Sequence, residues 1–290
     1  MPSALLQSPL IRSLRSARVL IALALILAIG ASAGFAPWLA PHDPAEQNLL
    51  SILLPPAWAT GGDPTFPLGT DSLGRCVLSR LIYGSRTAMT VAFFASLGAM
   101  IIGTILAHVS GYFGGIVDWL IGRAVDVWMS FPPVILSLVL MVGLGIGLGN
   151  VILAIILVDW TRFCRVLRAE VLIVTRHEYV AAARLLGFTH WQTIVREVLP
   201  ATLPLLITLV SLEMAIAVVV EAILSFVGLG VRPDQPAWGQ MIADARQYVY
   251  QSPSNLLLPM AAIFLTVTAF NLLGDGLRRG LDVRLSETGR

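Results

Sequence analysis

The residues able to do chemistry are few, and several of them stand where a charge is expensive. Asp159, Glu213 and Glu221 lie in or beside long apolar runs. An ionisable side chain in such a place is by default a functional candidate: a proton relay, part of a solute path, or a group paired with a partner. Arg162 follows Asp159 by three positions and Asp126 follows Arg123 by three. On a helix such neighbours can pair. For Glu213 and Glu221 the preferred reading is a paired or hydrogen-bonded role where subunits meet. A proton-coupled carrier is the competing one.

Other chemistries are excluded by what is missing. All 19 basic residues are arginine, and the chain has no lysine. A phosphate-binding loop of the Walker type needs its lysine, so the chain cannot hydrolyse ATP by that route. Schiff-base chemistry is excluded as well. Cys76 and Cys164 are far apart and share no ligand spacing, which supports neither a disulfide framework nor a zinc site. His177-Glu178 begins like a zinc-protease helix, but Ala181 stands where its second histidine would be. No Ser/His/Asp or Cys/His constellation stands out, so a membrane enzyme is the weakest reading.

The elements that hold these residues are dictated by hydropathy. With 57% apolar and 12% charged residues, this is no ordinary soluble domain. Several apolar runs exceed the roughly 20 residues needed to cross a bilayer, and no period-2 alternation suggests a barrel. The chain is expected to be an all-α polytopic membrane protein with six transmembrane helices. The spans are expected near 19–40, 88–110, from Val117 onward, 151–168, 201–228 and 257–276. Ala31-Ser32-Ala33 resembles a signal-peptide cleavage site, but the apolar core before it is too long and more spans follow, so residues 19–40 read as a first span. Gly111–Gly115 reads as a tight loop. Ser130-Phe131-Pro132-Pro133 should kink the third span, because proline deletes a backbone hydrogen bond.

Residues 41–86 read as an external segment rich in turns, ending in an amphipathic helix. Val77, Leu78, Leu81 and Ile82 share one face of it, as in a helix lying at a membrane surface. Residues 229–256 read as a second external region. Thirteen arginines fall in the segments assigned to the cytoplasm and five outside, at 75, 80, 86, 232 and 246. That bias places both termini inside, with residues 1–18 and 277–290 as cytoplasmic ends.

One polar connector, Glu178 to Pro200, is more than a linker. Tyr179, Ala182, Ala183 and Leu186 recur at helical spacing. Gly187 sits where a helix ends in a left-handed residue. Thr189 and Gln192 form a capping-box pair that opens a second helix. Leu199-Pro200 is expected to stop that helix before the next span.

The stretch Glu178-Tyr179-Val180-x-Ala182-Ala183-x-x-x-Gly187, followed by Leu199-Pro200, resembles the EAA loop of ABC-importer permeases. Ala181 replaces the glutamate that names the motif, and Glu197 replaces an isoleucine. Residues 68–86, LGTDSLGRCVLSRLIYGSR, resemble a passage of the C-type permease of dipeptide, oligopeptide and nickel importers, with Cys76 in place of an aspartate. Glu221-Ala222-x-Leu224-Ser225-Phe226-x-Gly228-Leu229-Gly230 and Pro236-x-Trp238-Gly239 match the same pattern. So does the tail, except that Val283 replaces a proline.

The resemblance implies a permease domain over 87–276, with a cytoplasmic coupling loop at 170–200 and an external scoop or gate at 229–256. It implies that Glu178, Tyr179, Ala182, Ala183, Gly187, Leu199 and Pro200 couple to an ATPase, and that Pro236, Trp238 and Gly239 belong to the gate. It implies a B-type permease partner, two ATPase subunits and an extracytoplasmic binding protein. No cofactor is expected in this chain; ATP and Mg would be held by the ATPases, and no nucleic acid is involved. Peptide is the expected cargo, with nickel, glutathione or another small solute as the alternative.

Overall fold

The computed structural model describes residues 16–281. The N-terminal arginines Arg12 and Arg15 and the tail motif beyond Leu281 lie outside that range. The described chain is almost wholly helical, with one isolated bridge, Thr70 to Cys76, and no strand among the described residues.

Helix α1 (Ala17–Gly34) is capped by the Ser16 hydroxyl and continues into the short α2 (Ala36–Leu39). Residues 40–76 are turns. Helix α3 (Val77–Phe113) is followed by α4 (Gly115–Met129) and α5 (Pro133–Leu144). Helix α6 (Leu148–Val174) leads to α7 (Glu178–Leu185) and α8 (His190–Thr193). A π-helical segment (Ile194–Val198) joins α8 to α9 (Leu199–Phe226). Helix α10 (Trp238–Ala245) precedes α11 (Pro253–Leu281).

Helices α1, α3 and α11 and the run from His190 to Phe226 are long and apolar enough to cross a membrane. Helices α4 and α5 form a fifth span bent by 87°, at the Ser130–Pro133 break where the kink was expected. Helix α6 has 27 residues but carries five charges, so by length and apolarity four helices, or five with the bent pair, qualify as spans among the described residues.

Three expectations change. The amphipathic helix at 77–86 is no separate surface element: it is the first part of the 37-residue α3. Its Ser79 and Arg80 are buried. The loop at 111–115 shrinks to Gly114-Gly115, both with positive φ. Pro200 does not stop the preceding helix. The wide π-turn carries the Leu199 N–H to the Ile194 carbonyl, and Pro200 then occupies the first turn of α9, where its missing N–H leaves no bond unmade.

The core forms along α3. Gly98, Gly103 and Gly111 let it approach α6 closely: a Cβ at each would meet Ile156, Phe163 and Val171 at 2.3, 2.4 and 2.7 Å. Small residues at such seams provide van der Waals contact where lipid removes most of the hydrophobic drive between helices. Val91, Ala95, Ile155, Ala217 and Leu224 join α3, α6 and α9 in one cluster.

Candidate functional site

Two sites were expected at opposite ends of the bundle, and both are well defined. At one end, α7 and α8 form a double-capped elbow. The α7 helix closes with a Schellman motif: Gly187 N–H donates to the Arg184 carbonyl at 3.0 Å and Phe188 N–H to the Ala183 carbonyl at 3.2 Å. Gly187 has φ +88°. The Thr189–Gln192 capping box is present in both directions, at 2.9 and 3.3 Å.

The elbow is fixed from below. Val180 packs with Tyr112, Val171, Val174, Ile194 and Val198. The Tyr112 hydroxyl and His190 Nδ1 share a hydrogen bond of 3.0 Å, and the Arg184 guanidinium lies 4.7 Å from the Tyr112 ring centre. Ala183 is buried; Glu178, Tyr179, Ala182 and Pro200 are exposed and Leu199 half-buried. Burial, with Glu197 nearby, raises the Tyr179 phenol above its ordinary value.

The outward surface of the elbow is apolar. Leu185 is 90% exposed, Leu186 80% and Trp191 71%. The sequence pattern marks Leu186 only as part of a helical face and does not mark Leu185 or Trp191. What could have found them is the apolar Leu185-Leu186 pair next to the cap glycine, a place where a surface helix normally turns polar.

At the other end, the segment around α10 is locked rather than open. Trp238 is buried and its indole Nε1 donates to the Leu81 carbonyl at 3.0 Å. Thr87 donates to the Pro236 carbonyl at 2.8 Å. Gly239 lies against the Ala222 backbone, where a Cβ would meet the carbonyl oxygen at 2.0 Å. Pro236, Trp238 and Gly239 thus pin α10 onto α3 and α9. Asp71, Arg75, Arg80 and Asp244 complete the junction as a charge quartet, which sequence spacing could not show.

Between the two ends, Arg162 does not pair with Asp159. Its Nη1 donates to Glu213 Oε2 on α9 at 3.1 Å. Asp159 is buried, and Glu221 accepts from the Ser225 hydroxyl at 2.6 Å. Glu213 and Glu221 therefore have partners within this chain, not across a subunit contact, and Arg162–Glu213 ties two spans together. Asp126 pairs with Arg123 at 3.3 Å, as its spacing suggested, and also with Arg165 at 2.9 Å.

A bundle of long apolar helices, an elbow with an apolar surface and a pinned segment at the far end define a polytopic permease of the importer type. The chain belongs to the family of binding-protein-dependent transport system inner membrane components, whose pattern matches residues 84–287. Residues 9–56 match the N-terminal transmembrane domain of oligopeptide transport permease C. The dipeptide transport system permease protein DppC of Haemophilus influenzae is 37% identical, over 92% of this chain and 91% of the relative. The di/tripeptide permease DppC of Pseudomonas aeruginosa is 39% identical, over 87% and 83%. The glutathione transport permease GsiD of Pectobacterium atrosepticum is 38% identical, over 75% and 72%. The fold is also that of a chain of the methionine ABC transporter MetNI in an inward-facing form, with a TM-score of 0.58 and 20% identity, covering 70% of this chain and 97% of that one. This chain is a multi-pass inner-membrane permease subunit of an ABC importer, not an enzyme.

Proposed function

We propose that the chain forms half of a translocation path for di- and oligopeptides and that ATP hydrolysis reaches it through the α7–α8 elbow. Peptide as cargo is supported by the dipeptide and di/tripeptide relatives; glutathione, itself a small peptide, is the nearest alternative. A B-type permease completes the path, two ATPases hold ATP and Mg, and an extracytoplasmic protein delivers the solute. Both termini and the elbow face the cytoplasm, in keeping with the arginine bias.

The observation that carries this reading is the apolar surface of Leu185, Leu186 and Trp191 on a rigid double cap. Exposed aromatic and aliphatic side chains clustered on one small element are the usual anchors of a protein interface. Cytoplasmic placement makes an ATPase subunit the partner. The test is Leu186→Asp with Trp191→Asp in the reconstituted transporter. ATPase subunits should fail to co-purify and uptake should fall at least tenfold. Normal association and uptake would remove the elbow from the coupling path.

A further inference from the structure

Arg162, Arg165 and Arg168 stand three residues apart on α6. Their Cα atoms climb about 9 Å and stay within an arc of about 120°. Each is matched by an acid from a neighbouring helix. Arg168 clasps Asp118 through two nitrogens, Arg165 reaches Asp126 and Arg162 reaches Glu213. Helix α4 runs antiparallel alongside: Asp118 meets Arg168, and further along α4 the Trp128 indole donates to the Leu157 carbonyl. The ladder therefore climbs the closing part of the span expected at 151–168, toward the end assigned to the cytoplasm.

Several of these charges are not buried. Arg165 is 53% exposed and Asp126 47%. Charges so placed cannot face acyl chains without a penalty of several kcal/mol, so they border water or protein. A cavity of about 520 Å³ opens beside them, lined by Trp119, Gly122, Arg123, Asp126, Arg165 and Arg168 among others. Its size lies within the range of small-ligand sites, about 300–1,000 Å³. Three guanidiniums meet two carboxylates there; three of the four carboxylate oxygens accept from arginine and the fourth, Asp126 Oδ2, lies 3.3 Å from Arg123. Arg123 and Arg165 keep unspent N–H donors, so the wall presents one excess positive charge and donors without acceptors.

The geometry points to this wall as the water-filled inner part of the translocation path, and to its cavity as a holding site for the carboxylate of the departing solute. Arginine forks fit a carboxylate in two-point fashion, and a surplus of one charge favours brief retention over capture. The inference rests on the proposed role as a peptide path, which it refines.

The test uses the whole transporter in proteoliposomes with Gly122→Cys, a position where a Cβ meets nothing within 4 Å. Trp119→Cys is the second variant should the first not assemble. Cys76 is buried away from the cavity, but Cys164 lines it, so the variants are made in a Cys164→Ala background, which alone is the control. A charged, membrane-impermeant thiol reagent is applied from each side. Labelling is expected from the cytoplasmic side. The dipeptide Ala-Ala should slow it about tenfold and Ala-Ala amide should not; adding Arg165→Gln should abolish the protection. No labelling from either side means lipid or a partner subunit covers the wall and overturns the path. Equal protection by the two peptides, or none, overturns the carboxylate site. Labelling only from the external side would refute the orientation while leaving the water-filled wall in place. Uptake of Ala-Ala by the unaltered transporter, measured in parallel, decides the peptide reading separately.

Discussion

Arg75 and Asp244 lie 169 positions apart and meet at 3.1 Å. That contact joins the segment before α3 to α10, the helix that follows α9. Asp71 closes the arrangement: it accepts from Arg75 at 2.7 Å and from Arg80 at 3.2 Å. The Arg80 side chain is only 2% exposed, and its Nε and Nη2 have no hydrogen-bond acceptor. Asn255 reaches the same region through the Thr70 carbonyl at 2.9 Å. The far end of the bundle is thus held by a small ionic junction, dry at Arg75 and Arg80 and open at Asp244, not by apolar packing alone.

The junction should break unevenly. Asp71→Asn leaves two buried guanidiniums facing one carboxylate. Removing one member of a buried pair costs about 3–5 kcal/mol, because the other charge stays behind. Asp244 is more exposed, at 36%, and burial disfavours its charged form, so Asp244→Asn should cost little or nothing. Thermal unfolding of the purified complex in detergent, with hydrogen exchange over 237–249, measures both. Equal losses for the two variants would contradict the assigned geometry.

The pH response has a definite sign. Burial raises the Asp244 carboxyl above its ordinary value, and the opposing pull of Arg75 is outweighed. A carboxyl whose pKa is higher when α10 is docked binds its proton more readily in the docked form. Docking is therefore favoured in acid and weakened as pH rises through the raised value. Exchange protection of α10, corrected for intrinsic rates, should be greater at the acid end of the accessible range. Asp244→Asn should flatten the dependence. Protection that falls on acidification would reverse the assignment.

Trp238 sits against Gly84 so closely that a Cβ there would meet the indole Cδ1 at 2.6 Å. Gly84→Ala keeps the helix and adds one methyl. Overpacking of this kind costs about 1–3 kcal/mol, and here it acts on the docking of α10 as well as on the fold. Faster exchange in α10 with unchanged protection in the middle of α3 is the expected pattern. Unchanged exchange in both would mean that the indole does not hold α10 in place.

What could be read from sequence was what short-range rules govern. The elbow at Glu178–Thr193 is specified by residues within a few positions of one another: Gly187 for the left-handed cap, Thr189 with Gln192 for the box. The bend at Ser130–Pro133 is equally local. The errors share a different cause. Residues 77–113 contain no proline, so nothing local marks where a surface helix would end and a span begin; burial against Trp238 makes it one helix. Pro200 carries a stop signal, but the preceding π-turn reroutes the backbone bonds and the signal is not used. Arg162 has an acid three residues before it, yet pairs with Glu213, 51 positions away. A partner on another helix has no sequence signature.

The elbow itself offers the sharpest test of transmission. Gly187 has open space around its Cα, so a side chain there meets no neighbour. Its φ of +88° is the whole constraint. A β-branched residue in that region costs about 1–2 kcal/mol, enough to lower the population of the correctly turned elbow roughly five- to thirtyfold relative to alternatives. Gly187→Val should leave the subunit in the membrane and the bundle core intact, while uptake falls and ATP hydrolysis loses its response to solute. Gly187→Asn is the control, because asparagine tolerates the left-handed region, and it should retain most of the coupling. The two variants present similar bulk to the partner and differ mainly in backbone preference. If both lose coupling to the same extent, contact with the ATPase at this position matters and the turn does not. If neither does, the elbow is not the lever.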